Sequence, residues 1–256
     1  MNSVLFNKVW WLLRGVAILS LLNLATGCSD EPPTTWEEAK NIKTRSSLDG
    51  VGFDVPLNYL FGEFAMNQYT WPTVSKEVRE GRRRYAVDFV KLYALLPDLE
   101  PVSEKNLAVF KEPGWGRKVD AFITHPRSFE YYFKFTAPSR LERLPDSREI
   151  PGMLHYLDNV TQDEFYLSHD HAVPELTRIR CPYSTSGQFP YCEVETLYRH
   201  EAITGKNGEN FSVSTPYYLN YSFARSYLPQ WRDIDRKLKA LYDHFAQSAK
   251  QATLTP

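Results

Sequence analysis

Catalytic signatures are what this 256-residue sequence has least of. It contains no Gly-x-Ser-x-Gly pentapeptide, so a nucleophile elbow is absent. It also has no glycine-rich run of the Walker or dinucleotide type that could cradle a phosphate. Cysteine is scarce, at three residues. No apolar run reaches the roughly 20 residues needed to span a bilayer. Neither sign of charge prevails: 30 Lys+Arg stand against 31 Asp+Glu. That balance argues against a general nucleic-acid or lipid-surface binder. No internal repeat of fixed period is visible. Asp54, Asp88, Glu130 and Asp163 could serve as paired acids and bases, but nothing in their spacing pairs them. The chain therefore reads as a non-enzyme with no implied cofactor.

What is present begins at the start of the chain. Lys8 and Arg14 supply a basic start, Gly15 to Leu24 are largely apolar, and Leu24-Ala25-Thr26-Gly27-Cys28 places small residues before a cysteine. This segment resembles the lipobox of bacterial lipoproteins, with Ala25 where the family usually has leucine. The resemblance implies a signal peptide over 1–27, cleavage before Cys28, and acylation of its thiol and new amine, palmitate being one such chain. Multiple chains anchor stably where one does not, at about 0.8 kcal/mol per buried CH₂. Ser29 follows the cysteine in place of Asp, which in Gram-negative lipoproteins implies transport to the outer membrane, facing the periplasm. The inner membrane is the other expectation. An ordinary signal peptide cut near Gly27 competes with this reading.

Residues 28–48 are polar, charged and proline-bearing, the composition of a flexible tether of about 25 Å end to end. The domain is expected from Asp49-Gly50 onward, as one body over 49–256 or two subdomains divided near 137. The mature chain carries a net charge of about −3. Aromatic residues reach 14% and fall mostly in alternating segments, which favours strands over disorder. Val51 to Phe61 alternates, and Pro56 within it cannot donate to a ladder, so it is an edge strand or a broken one. Tyr85 to Leu96 reads as a strand, with Tyr85, Val87, Phe89, Lys91, Tyr93 and Leu95 on one face. Ser103 to Phe110 looks like a short capped helix. Strands are further expected at 118–124, 129–135, 153–157, 163–168, 176–181, 191–198 and 217–223. From Pro229, Trp231, Ile234, Leu238, Leu241 and Phe245 recur at three- and four-residue intervals. That stripe makes an amphipathic helix of about 17–20 residues, with a frayed tail from Gln247. The fold class is α+β: mainly an antiparallel sheet or sandwich with a C-terminal helix.

Cys181 and Cys192 remain once Cys28 is lipidated, in a compartment that permits disulfides. A bridge between them would staple the turn-rich segment 182–191 and contribute about 2–3 kcal/mol. Two separate buried thiols are the alternative. His169-Asp170-His171 is the one close histidine cluster, and His169 and His171 could face one way from a strand toward zinc. No spacing selects the further ligands a metal needs, so a polar turn is the simpler reading. Arg82, Arg83 and Arg84 form the sharpest charge run. It is a solvated loop, or guanidinium forks for an acidic partner or anionic lipid heads.

The lipobox, Gly52 to Tyr59, Leu92 to Pro101, the cysteine pair and the closing Leu228 to Ile234 together resemble bacterial periplasmic immunity lipoproteins. Proteins of that group protect a cell from type VI secretion effectors, notably phospholipases. The resemblance implies a lipid-anchored binding protein whose partner is another protein in the periplasm, inhibited by covering its active site. The first places to look are Tyr183, Phe189 and Tyr191 in the segment 182–191, together with Arg82 to Arg84. Tyr183 and Phe189 could equally pack beside the disulfide. An envelope or secretion-machinery assembly lipoprotein shares the same anchor, and a periplasmic hydrolase would need a pocket gathering several ionisable residues.

Overall fold

The computed structural model describes residues 35–60, 85–125, 140–168, 177–183, 190–206 and 209–253. Thr35 caps the first helix, α1 (Trp36–Asn41), its hydroxyl accepting from the Glu38 amide at 3.1 Å, with Glu37 and Glu38 in the positive first turn. α1 leads into β1 (Lys43–Leu48) and β2 (Val51–Pro56), an antiparallel hairpin in which Leu48 faces Val51. Asp49 (φ 51°) and Gly50 (φ 80°) form its two-residue turn, the left-handed geometry that an Asp-Gly pair favours. The described structure from Thr35 onward occupies the second half of the expected tether. Ala39, Ile42 and Leu48 supply the reason, because each is buried. Asp49-Gly50 is a turn inside the fold and not its entrance.

β3 (Tyr85–Ala86) adds to β1 in parallel, giving a small sheet of order β2-β1-β3 with Pro56 on its edge strand, as proline requires. The expected strand at 85–96 is broken at Val87-Asp88, and its main part is β4 (Phe89–Leu95). The face that carries Phe89, Lys91, Tyr93 and Leu95 is not the one that meets the main core. Val90, Leu92 and Ala94 enter the main core, while Phe89 is more than half exposed and Tyr93 and Leu95 pack under a short helix. That helix, α2 (Leu107–Lys111), starts later than expected because the Asn106 side chain accepts from the Ser103 amide at 2.8 Å and holds a turn there.

The remaining strands are β5 (Lys118–Thr124), β6 (Leu141–Arg143), β7 (Met153–Asp158), β8 (Glu164–Ser168), β9 (Arg178–Cys181), β10 (Tyr191–Lys206) and β11 (Glu209–Ala224). They join β4 in an eight-stranded sheet of order β4-β5-β11-β10-β9-β8-β7-β6, every pair antiparallel. The sheet is therefore a meander closed on one side by the β4–β5 hairpin. β10 and β11 are twice as long as the expected strands and pair from Tyr191–Ala224 to Lys206–Glu209. Their neighbours cover only the base, β9 meeting β10 at 193–195 and β5 meeting β11 at 218–223. The segment 129–135 lies outside the described residues.

A 3₁₀ turn (Arg225–Gln230) containing Pro229 leads into α3 (Trp231–Thr253). Trp231, Ile234, Leu238, Tyr242 and Phe245 are buried against the sheet, while Leu241 is only partly covered. The helix continues past the expected fraying point at Gln247 to Thr253. One face of the large sheet thus meets α3 and the β1–β2 hairpin in a core that runs from Leu48 to Ala246. Three tyrosines stitch it by donating to backbone carbonyls: Tyr217 to Leu48 and Tyr242 to Val90 at 3.1 Å, and Tyr221 to Trp231 at 3.4 Å. Burial pushes the hydroxyls of Tyr221 and Tyr242 well above the ordinary phenol range, so both remain donors.

Candidate protein-binding face

Alternation along the strands leaves a second, outer face on the large sheet. In register across β9 and β10, Arg178 opposes Glu195 and Arg180 opposes Glu193. Both pairs close as ion pairs, at 2.7 and 3.4 Å. On the other side of the face, Lys91 of β4 meets Asp120 of β5 at 3.4 Å. Opposite charges placed directly across strands each contribute a fraction of a kcal/mol and set register.

Beneath this ladder lies the expected disulfide. Cys181 ends β9, Cys192 opens β10, and their sulfurs are bonded, with both side chains buried on the core side. The bond ties together the two ends of the segment that holds Tyr183 and Tyr191. Asp163 adds a second tie. Its buried carboxylate accepts from the Tyr183 amide at 3.0 Å through Oδ1, and from Arg180 Nε and Nη2 at 2.9 and 2.8 Å through Oδ2. Burial opposes the Arg180 charge, but Asp163 and Glu193 outweigh it and raise its pKa further. Tyr183 therefore has a fixed backbone and a side chain that is 62% exposed. Asp163 is engaged in holding this structure together and is not placed as half of an acid–base pair.

Tyr191 does something different. Its ring stacks on Trp115 with centroids 5.3 Å apart and planes inclined by 22°. Trp115 sits between Gly114 (φ 79°) and Gly116 (φ 49°), left-handed positions that suit glycine and let the chain turn sharply into β5. Beside Trp115 opens a cleft of about 250 Å³ lined mainly by Tyr93, Phe110, Trp115, Lys118, Val119 and Asp120. Lys118 is 9% exposed, and its Nζ donates to the Glu112 carbonyl. Burial lowers its pKa, with the nearby Glu112 charge opposing the shift. Sequence reasoning missed Trp115 and Lys118. A tryptophan framed by two glycines was the available signal, whereas a lysine at a strand's first residue carries none.

Two further polar clusters are structural. Glu164 accepts from Arg225 at 2.8 Å and from the Tyr166 hydroxyl, beside His155 at 3.3 Å. Burial works against its charge, yet these donors hold its pKa below the usual carboxylate range. His200 and Tyr198 of β10 both reach Asp243 of α3, at 3.0 and 2.7 Å. His200 is buried, and the cluster locks helix to sheet. Among the described residues no three His, Cys, Asp or Glu side chains gather as a metal site. Cys28, Arg82, Arg83, Arg84, His169, His171 and Phe189 lie outside the described residues. Among the described residues no helix is long and apolar enough to cross a membrane.

No family model matches the chain, and no curated protein matches it in sequence. Among solved structures it is similar to that of Smlt3025, an immunity protein of the Stenotrophomonas maltophilia type IV secretion system. The two chains are 10% identical, the match covers 80% of this chain and 93% of that one, and the TM-score is 0.45.

Proposed function

We propose that this protein is a lipid-anchored binding protein of the bacterial envelope. Its partner is a secreted antibacterial effector, a phospholipase of a type VI secretion system being the leading candidate. The reading stands on the leader ending at Cys28 and on the outer face, independently of the remote likeness to Smlt3025. One observation carries it. Tyr183 projects into solvent while the Asp163 carboxylate and the Cys181–Cys192 bond hold its backbone still. An aromatic side chain presented on a fixed backbone loses little freedom on association, which is what a binding anchor requires. Arg180, fixed between Asp163 and Glu193, stands next to it with its charge secured. A rigid surface of this kind inhibits by covering the mouth of the effector's active site, without chemistry of its own.

The test is co-expression. Candidate effectors, sought first among the neighbouring reading frames, are directed to the periplasm with and without the full-length protein, and survival is counted. Survival that depends on the protein, and falls when Tyr183 is replaced by Ala, supports the reading. Equal killing in both strains overturns it. A requirement for the protein without any effector present would favour an assembly role in the envelope instead.

A further inference from the structure

We propose that the cleft beside Trp115 receives an apolar side chain of the partner protein together with an adjoining carboxylate, the anion meeting the Lys118 ammonium. This rests on the binding reading above and names the chemistry the partner must offer. Size is the first argument. At about 250 Å³ the cleft falls below the roughly 300–1,000 Å³ of sites that take drug-sized ligands, and it fits one side chain. The walls are the second. Tyr93, Phe110 and Val119 are buried or nearly so, and Trp115 is braced from behind by Tyr191, so the space is preformed.

Charge is the third argument and the most specific. An ammonium has three donors, and Lys118 gives one to the Glu112 carbonyl. Among the described residues no carboxylate lies within ion-pair distance of it. Asp120 also lines the cleft, and its Oδ2 is met by Lys91 at 3.4 Å. Glu112 acts on Lys118 only at longer range. A mostly buried cation with donors to spare, beside an apolar space, is costly unless an anion completes it. One ammonium balances one negative charge, which favours a carboxylate over a doubly charged phosphate.

The probes are N-acetylphenylalanine, its neutral carboxamide, and octanoate, each titrated into the full chain in mild detergent. Binding is read from the Trp115 indole resonance, assigned with Trp115→Phe. The carboxylate should bind about tenfold or more tightly than the carboxamide, as a charge-assisted hydrogen bond implies. Lys118→Gln should erase that ratio. The ratio in the unaltered protein decides the matter should the variant fail to fold. Equal binding of acid and amide, or shifts that leave Trp115 untouched, would sink the proposal. Octanoate binding far more tightly than the aromatic acid overturns the assignment to a protein partner. The survival assay separates the two readings: protection without acid–amide discrimination defeats only the cleft, and discrimination without protection defeats only the immunity role.

Discussion

On the inner face of the eight-stranded sheet, several polar side chains hold the fold together. Tyr217, Tyr221 and Tyr242 each give their hydroxyl to a backbone carbonyl, and Tyr198 and His200 reach Asp243. On the outer face the same strands, one residue out of step, carry Arg178, Arg180, Glu193 and Glu195 paired across the ladder, with the aromatic cleft beside them. The inner arrangement spends these groups on contacts within the fold. On the outer face Arg180 and Glu193 are fixed yet still partly open to solvent, whereas Arg178 and Glu195 are largely covered. On the proposed binding reading, stability and recognition are divided by strand parity, and substitutions on the two faces should differ in what they damage.

The largest expected effect is on the inner side. Phe223→Ala removes a fully buried ring and should cost about 3–5 kcal/mol of unfolding free energy in guanidinium titration. A loss under about 1 kcal/mol would erase the contrast. Next comes the bond beneath the outer face. Reducing Cys181–Cys192 should cost about 2–3 kcal/mol and lower the melting temperature; an unchanged melt would show that the bond does not constrain the chain.

Asp158, at the end of β7, is where the contrast blurs, since this carboxylate is buried by its own donors. Burial opposes its charge, but the Val160 and Thr161 amides and Arg140 hold its pKa below the ordinary value. The unfolded carboxyl titrates near ~3.9. The stabilisation is therefore present above that pH and lost as pH falls through the lower folded value. Asp158→Asn should cost about 1–3 kcal/mol at neutral pH. It should also flatten the acid limb of stability, as melts between pH 6 and pH 2 would reveal. The smallest stability effect belongs to Tyr183→Ala, within about 0.5 kcal/mol of the unaltered protein. The same change should weaken partner binding tenfold or more in a pull-down titration. An equal loss of stability would place Tyr183 in the core economy after all.

Much of this architecture is legible in the sequence where alternation is strong. Lys118 to Thr124, Met153 to Asp158 and Glu164 to Ser168 announce themselves by period, and the Trp231 to Phe245 stripe announces α3. β4 was legible as a strand but not for its facing. Both of its faces are covered over Tyr93 to Leu95, so bulky aromatics outvoted Val90, Leu92 and Ala94. The outer halves of β10 and β11 were invisible for the opposite reason. Arg199 to Lys206 has little apolar alternation, and those residues are held by pairing with β11. Of the candidate site, the disulfide followed from counting cysteines. The cleft did not, because Tyr93, Phe110 and Trp115 converge from three separate stretches of chain.

The length of the β10–β11 hairpin has a dynamic consequence. Over its base, each strand is flanked by another; from Glu201 outward, among the described residues, the two strands have only each other for pairing. Opening the distal part breaks few bonds and leaves the sheet intact, whereas opening the base dismantles the core. Amide protons along a single strand should therefore exchange on a gradient, slow near Val194 and fast near Thr204. The outer pairs can thus part without disturbing the flanked base from which they extend.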